Sequence, residues 1–142
     1  MEQPDLSAIP LFAEIPKAEL QQLNGLAHRM SYGAGDTVFH QGDDGIGVFV
    51  VLEGQFELRH ESPDGGSKVE ATVGPGEVFG LTSMLDEGPR RASVYAATDG
   101  TCLALTRMTF RQAIESNPSI AIEVIRAMAK NLRAVSALLD RD

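Results

Sequence analysis

The apolar positions of this chain change their spacing twice, and each change predicts a different secondary structure. Up to about residue 26 they recur at mostly helical intervals interrupted by Pro10 and Pro16. We expect short helical pieces there, with Pro16 opening a helix over Ala18–Leu26. From about Ala27 to Leu105, short β-branched or aromatic runs alternate with Gly, Pro and Asp. That texture is typical of an antiparallel sandwich or roll.

The middle section contains several candidate strands. They are separated by turns rich in glycine, proline and aspartate, where a positive or a preset φ is useful. The candidates are Thr37–His40, Val48–Leu52, Gln55–Arg59, Lys68–Val73, Ser93–Ala97 and Thr101–Leu105.

The last section, from about Met108, is predicted to be helical to its end. A shorter helix covers Phe110–Glu115. Asn117 then supplies an N-cap and Pro118 a proline at the first helical position, so a second helix is expected from about Ser119 to Leu139.

This long helix carries two neighbouring apolar stripes with 4-3-4-3 spacing. One stripe is Ala121, Ile125, Met128, Leu132, Val135 and Leu139, and the other is Ile120, Val124, Ala127, Asn131, Ala134 and Leu138. One stripe is enough to cover a small roll, so the second predicts a homodimer through this helix. The alternative is that the helix folds back and buries both stripes on its own domain.

Length and composition fit one domain over residues 1–142, with 43% apolar residues. Its parts are an N-terminal helical segment (1–26), a β-roll (27–105) and C-terminal helices (106–142). The 12 basic and 20 acidic side chains give a net charge of −8, which opposes direct binding to DNA or to an anionic membrane surface.

The chain shows no pattern of a membrane segment. The longest unbroken apolar run, Val48–Leu52, is far shorter than the roughly 20 residues of a membrane helix. The start, MEQPDLS, lacks the basic and apolar regions of a signal peptide. We therefore expect a cytoplasmic protein.

Reactive side chains are sparse. Cys102 is alone and excludes an internal disulfide, while His28, His40 and His60 are isolated and lack zinc spacing, so they are predicted as surface or strand-edge residues. No nucleophile–base arrangement and no Walker loop is apparent. Neither an enzyme nor a metal site is expected.

One stretch does suggest chemistry. Phe79–Val94, FGLTSMLDEGPRRASV, combines a glycine, small residues and the adjacent arginines Arg90 and Arg91. Free main-chain amides and a guanidinium fork are groups that bind anions, and a glycine lets the backbone approach such a ligand closely.

Several spaced motifs resemble the cyclic nucleotide-binding domain. They are YGAGDTVFHQGDDGIGVFVVLEGQFEL, GPGEVFGL, GPRRASVYAAT and FRQAIESNP, followed by the final helix. That family includes bacterial catabolite activator proteins, regulatory subunits of cyclic AMP-dependent kinase and cyclic nucleotide-gated channels. The resemblance, from about Phe12 to Leu139, implies an α+β, mainly β fold. This is a jelly-roll-like β-roll (a double-stranded β-helix) of eight strands, with a short N-terminal helical segment and two C-terminal helices, the last one long.

The resemblance also implies a phosphate-binding cassette over residues 79–94. Phe79 and Gly80 match its opening, and its close is matched by Pro89, Arg90, Ala92, Ser93 and Val94. Arg90 then pairs with the cyclic phosphate, and the Ala92 amide and Ser93 hydroxyl complete the donors, while Arg91 points away. The alternative for Arg90 is a surface arginine paired with Asp86 or Glu87.

The match fails at Leu81, where the family has a glutamate that accepts a hydrogen bond from the ribose 2′-hydroxyl. Leucine cannot accept one, and the loss is worth about 1.5–3 kcal/mol, roughly ten- to 150-fold in affinity. Thr82 and Ser83 are candidate replacements. At the base, the resemblance points to Ser136 on the long helix, and Asn131 is a second polar candidate there.

Two functions follow. The first is a free-standing regulatory module that binds cyclic AMP or cyclic GMP, uses no other cofactor, and signals to an unknown downstream protein by repositioning its C-terminal helix. The alternative is a degenerate domain that has lost nucleotide binding and serves as a dimeric interaction module, or binds another small anionic effector. The sequence contains no helix-turn-helix, so direct DNA binding is not expected.

Overall fold

The computed structural model describes residues 9–43, 47–81 and 88–139, with side chains described up to Ala129 apart from Ala127. Within these residues a 3-10 helix at Pro10–Phe12 precedes helix α1, eight strands follow, and helices α2 and α3 end the chain. The helices are α1 Lys17–Leu26, α2 Arg107–Ser116 and α3 Pro118–Leu139. The strands are β1 His28–Tyr32, β2 Thr37–Phe39, β3 Gly47–Glu53, β4 Phe56–Glu61, β5 Ser67–Val73, β6 Val78–Phe79, β7 Ser93–Ala96 and β8 Gly100–Thr106.

The strands form two antiparallel four-stranded sheets. The order is β1-β8-β3-β6 in the first sheet and β2-β7-β4-β5 in the second. Neighbours in each sheet are mostly distant along the chain, as in a roll that winds between two layers. The predicted mainly β fold, with a short N-terminal helical segment and two C-terminal helices, is confirmed.

The centre of the first sheet is buried on both faces. Val48 and Val50 of β3 pack into a cluster with the helices, which we call the helix cluster, whereas Val51 packs into a second cluster between the sheets, the inter-sheet cluster. All three side chains are fully buried. Burial on both faces explains why β3 is an unbroken apolar run and not an alternating one.

The second sheet is buried on one face only. Phe56 and Val94 point into the inter-sheet cluster, while Glu57, Arg59 and Tyr95 alternate with them and lie on the opposite, outer face. The protein is therefore layered as helices, first sheet and second sheet.

Local signals place the helix starts well. Pro16 caps α1 and Pro118 is the first residue of α3, as predicted, and the carbonyl of Asn117 accepts from the Ile120 amide at 2.9 Å. Helix α2 begins three residues earlier than the predicted Phe110. The reason is an N-cap that the prediction missed: the Thr106 hydroxyl accepts from the Thr109 amide at 3.2 Å.

All six predicted strands are present, with ends shifted by at most two residues. The two strands that were missed are β1, whose sequence HRMSY is polar and mostly exposed at the edge of the first sheet, and the two-residue β6. Neither has the alternation that identifies a half-buried strand. The predicted surface positions of His28, His40 and His60 are confirmed, since all three are exposed.

Candidate anion-binding site

The opening of the predicted cassette is a tight turn at the end of β6. Gly80 has φ +88°, a conformation that L side chains rarely adopt. A Cβ at this position would lie 2.6 Å from Arg90 Nη1 and 3.1 Å from the carbonyl oxygen of Gly47. Both the backbone conformation and the close approach of the guanidinium therefore require glycine here.

The side chain of Arg90 lies inside the protein, with 4% of its surface exposed. Its Nη2 donates to the carbonyl of Gly47 at 2.8 Å and its Nη1 to the carbonyl of Gly80 at 3.1 Å. The face of the guanidinium covers the ring of Phe39, with Cζ 4.1 Å from the ring centroid. The alternative of a surface arginine is thus wrong as to its burial, and the proposed partners Asp86 and Glu87 lie outside the described residues.

The main chain of Arg90 is fixed as firmly as its side chain. Its amide donates to the carbonyl of Asp43 at 2.7 Å, and its carbonyl accepts from the Gly42 amide at 2.8 Å. The carboxylate of Asp43 also closes the turn that follows β2, because it accepts from the main-chain amide of His40 at 2.9 Å. The turn after β2 therefore determines where the arginine enters the roll.

Burial is the main cause that lowers the pKa of Arg90, the positive charge of Arg107 adds to it, and the carboxylate of Asp43 opposes it. A guanidinium remains protonated in proteins even so. The site therefore holds a cation in a setting of low dielectric, where its interaction with an anion is stronger than at the surface.

The three residues that follow Arg90 differ in how deeply they are buried. Arg91 is exposed and Ala92 is half-buried. Ser93 is fully buried, and its hydroxyl accepts from the Gln41 amide at 2.8 Å. By strand alternation Ser93 faces away from the inter-sheet cluster. In this conformation its hydroxyl is engaged on the outer face of the second sheet and does not complete a ring of donors with Arg90.

Leu81 is a core residue. It is 8% exposed and belongs to the helix cluster together with Phe12, Phe110, Ile120 and Val124. The resemblance implies a missing ribose acceptor at this position, but in the structure the side chain packs among the apolar groups of the helix cluster. Position 81 links the cassette to the start of α3.

The remaining predicted contacts fall outside the described part of the chain. Thr82 and Ser83 lie in the segment that is not described, and the side chains of Asn131 and Ser136 are not described either.

Sequence reasoning missed the aromatic wall of the site. Phe49 and Phe79 stack at 5.0 Å with an interplanar angle of 5°, and Phe39 lies 5.8 Å and 5.9 Å from them. Phe49 and Phe79 are opposite one another on β3 and β6. The sequence singles out Phe79 as the opening of the cassette, but it gives no such signal for Phe39 and Phe49, so only the strand pairing reveals that their rings meet the guanidinium of Arg90.

A groove of about 620 Å³ crosses the outer face of the second sheet, opposite the inter-sheet cluster. Its charged groups are Glu57, Arg59 and Glu61. Arg59 already donates to Glu57 at 2.7 Å, and the Tyr95 hydroxyl donates to Glu61 at 2.5 Å. Two carboxylates and one engaged guanidinium do not favour an anion, so the groove is a poorer anion site than Arg90.

In the part of the chain that is described, no group of His, Cys, Asp and Glu side chains is arranged to hold a metal ion. None of the helices described is both long and apolar enough to cross a membrane.

Comparison with known proteins identifies relatives of the whole arrangement. The family model of the cyclic nucleotide-binding domain matches residues 29–117. The Cyclic AMP receptor protein of Thermus thermophilus is 34% identical over 131 residues, which cover 92% of this chain and 61% of that protein. The CRP-like cAMP-activated global transcriptional regulator of Mycobacterium tuberculosis is 26% identical over 128 residues, covering 90% and 57%.

The crystal structure of Thermus thermophilus Catabolite Activator Protein has a TM-score of 0.84 at 34% identity, over 92% of this chain and 62% of that one. This chain thus spans about three fifths of the length of these relatives. The range matched by the family model, residues 29–117, includes the segments that meet at Arg90.

Proposed function

Because the chain belongs to the cyclic nucleotide-binding domain family, we propose that it binds a cyclic nucleotide, cyclic AMP or cyclic GMP, through Arg90. It then signals by repositioning α3. The proposal describes a binding module and not an enzyme. The observation that carries it is a guanidinium held inside the roll at the end of the glycine turn, in the cassette position of the family.

The chemistry of capture follows from the present partners of Arg90. Its two terminal nitrogens donate to the carbonyls of Gly47 and Gly80. A cyclic phosphate offers two oxygens that share a negative charge and match the same fork, and that charge adds a Coulombic attraction to the buried guanidinium that neutral carbonyls lack. Exchange of carbonyls for phosphate oxygens therefore favours the bound state.

Transmission to α3 is proposed to pass through position 81. Leu81 is next to Gly80 in the chain and packs in the same cluster as Phe110 of α2 and Ile120 of α3. A shift of the cassette on phosphate capture changes this packing, and the junction at Pro118 is where α3 responds. The ligand biases α3 only by its different affinity for the two arrangements.

We further propose that α3 forms a homodimer through the apolar stripe that contains Ile125, because Ile120 and Val124 of the other stripe are buried in the helix cluster. Ile125 is 66% exposed and Ile122, which belongs to neither stripe, is 52% exposed, although isoleucine is among the residues most often buried. Covering one such side chain contributes up to about 1.5–3 kcal/mol. Light scattering at decreasing concentration tests this: dissociation into monomers supports it, and a monomer at every concentration contradicts it.

The test of nucleotide binding is a calorimetric titration with cyclic AMP, cyclic GMP and inorganic phosphate. The wild type is compared with Arg90→Ala, Arg90→Lys and Arg91→Ala. Arg91→Ala is the matched control, since this substitution removes the same charge from an exposed neighbouring position. We expect saturable binding that weakens about 100-fold or more in Arg90→Ala, where two charged hydrogen bonds are lost, and changes little in Arg91→Ala.

Arg90→Lys guards against loss of the fold, because it keeps a buried cation that can still donate to one carbonyl. Binding that is equally weak in the Arg91 variant, or absent in a folded wild type at millimolar nucleotide, contradicts the proposal. Binding of inorganic phosphate alone favours a small anionic effector.

A second candidate function is a dimeric interaction module without nucleotide. The observation that favours it is Leu81, which places an apolar core side chain where the family has the ribose acceptor. Under this reading the titrations give no heat, while the dimer and its downstream protein partner persist. Direct binding to DNA is not part of either proposal.

A further inference from the structure

The guanidinium of Arg90 uses its two kinds of surface for different partners. Its edges donate to the carbonyls of Gly47 and Gly80, at 2.8 Å and 3.1 Å. Its face lies against Phe39, with Cζ 4.1 Å from the ring centroid, and more distantly against Phe49 at 5.8 Å. Edge and face contacts are independent, so the carbonyls can leave while the ring stays.

We infer that Phe39 is a positioning residue for Arg90: its ring holds the plane of the guanidinium while the edges exchange carbonyl oxygens for the oxygens of an anion. The inference rests on the proposed function, because it concerns how the same arginine captures its ligand. The affinity for the ligand then depends also on the end of β2, which lies outside the cassette at residues 79–94.

Phe39 is well placed to act as a fixed platform. It pairs with Val94 in the second sheet, and its ring is held by the rings of Phe49 and Phe79 at 5.8 Å and 5.9 Å. Phe39 is half-buried, and an aromatic ring held by neighbours on several sides loses little further freedom when a ligand binds. The platform is therefore already ordered in the ligand-free protein.

The segment that carries Phe39 also fixes the backbone of Arg90. The turn after β2 exchanges two main-chain hydrogen bonds with Arg90, through Gly42 and Asp43, at 2.8 Å and 2.7 Å. One continuous segment thus holds both the main chain and the guanidinium plane. A long, flexible side chain is limited in this way to rotations that keep its face on the ring.

The carbonyl clamp on the edges is built from two glycines. A Cβ at Gly47 would lie 2.5 Å from the carbonyl oxygen of Leu105, and one at Gly80 would lie 2.6 Å from Arg90 Nη1. The clamp atoms are main-chain oxygens, which no substitution can remove. The ring of Phe39 is therefore the part of the cradle that mutation can alter cleanly.

The test compares Phe39→Leu with Phe39→Tyr and with Phe56→Leu. Tyrosine keeps the ring face. Phe56 is the matched control, because it is a fully buried ring of the same inter-sheet cluster and packs on Phe79 at 5.8 Å, while its replacement leaves the ring under the guanidinium in place. If Phe39 acted only through stability, Phe56→Leu would weaken binding at least as much.

Affinity for cyclic AMP is measured by calorimetry. A cation–π contact of a desolvated arginine corresponds to about five- to thirtyfold in affinity. We expect a loss of this size in Phe39→Leu, near wild-type affinity in Phe39→Tyr, and little change in Phe56→Leu at a temperature where all variants are folded. Binding by Phe39→Leu that is as tight as that of the wild type, or tighter, overturns the inference, because the ring then adds nothing to the affinity or competes with the ligand.

A second measurement does not depend on nucleotide. In the ligand-free protein, NMR of the arginine side chain should show Arg90 shifted by the ring current of Phe39, a shift that Phe39→Leu removes and Phe56→Leu keeps. If the wild type binds no cyclic nucleotide, the proposed function fails while this signal still decides whether Phe39 positions the arginine. An Arg90 resonance unchanged by Phe39→Leu refutes the positioning role.

Discussion

Replacing Leu81 by glutamate separates two interpretations of the cassette. If position 81 faces the ligand, the new carboxylate supplies the ribose acceptor that the family has there, and affinity rises about tenfold or more by the strength of a charged hydrogen bond. If position 81 faces the helix cluster, as it does in the structure, the same change introduces a carboxyl among apolar side chains. We expect the second outcome.

The magnitude follows from the burial of Leu81, which is 8% exposed. Losing the burial of a leucine costs about 1.5–3 kcal/mol. Placing a carboxyl without a partner among apolar groups costs about 1–3 kcal/mol even in its neutral form. The sum of about 2.5–6 kcal/mol is a large share of the roughly 5–15 kcal/mol that stabilises a typical domain. It corresponds to a fall in Tm of about 5–24 °C.

Urea unfolding of wild type, Leu81→Glu, Leu81→Gln and Leu81→Met measures this cost. Methionine nearly conserves volume and should cost less than about 1.5 kcal/mol, and glutamine separates polarity from charge. Because burial raises the pKa of the introduced carboxyl, the destabilisation should grow as the pH rises above the value for an unfolded chain, about 4.3. A Leu81→Glu protein as stable as the wild type, with tenfold tighter binding of cyclic AMP, would refute this argument.

Three other results are expected. Gly80→Ala should lower both the free energy of unfolding and the affinity for anions, because a Cβ would lie 2.6 Å from the guanidinium. Gly76→Ala is the control, since Gly76 has a similar φ of +85° but open space around it and meets only the φ penalty. Calorimetry on both variants separates the two effects. The hydrogen bond from Tyr95 lowers the pKa of Glu61 below its ordinary 4.5. The ionised Glu61 therefore stabilises the fold above pH 4.5, and this stabilisation is lost as the pH falls through the lower pKa of the folded state. Tyr95→Phe should weaken the dependence of the free energy of unfolding on pH in this acid range. Burial raises the pKa of Cys102 to about 12, so its thiol should react with a disulfide reagent only on unfolding, and rapid labelling of the native protein would contradict that.

The fold was largely predictable because its signals are local. Turn residues delimit the strands, and the apolar run of β3 already indicates a strand buried on both faces. Strand β1 was missed because its edge position allows a polar sequence. The early start of α2 was in principle readable, since Thr106 is a recognisable capping residue three positions before Thr109.

The site was only half predictable, because its decisive contacts are not local. The sequence identifies Gly80 and Arg90, but the oxygen of Gly47 that binds the guanidinium is 43 residues away from it. Nothing near Phe39 in the sequence indicates that its ring meets an arginine. For Leu81 the local motif and the tertiary packing point in different directions, since the motif suggests a ligand contact and the packing makes it part of the core.

The most direct test of the account follows the side chain of Arg90 by NMR while cyclic AMP is added to the wild-type protein. We expect the guanidinium signals to shift along a saturable curve, and the phosphorus signal of the nucleotide to shift with the same dissociation constant. Signals from the exposed Arg91 should remain nearly unchanged. Saturable binding that leaves the Arg90 signals unmoved, or no binding at millimolar nucleotide, would contradict the claim that this buried arginine captures the cyclic phosphate.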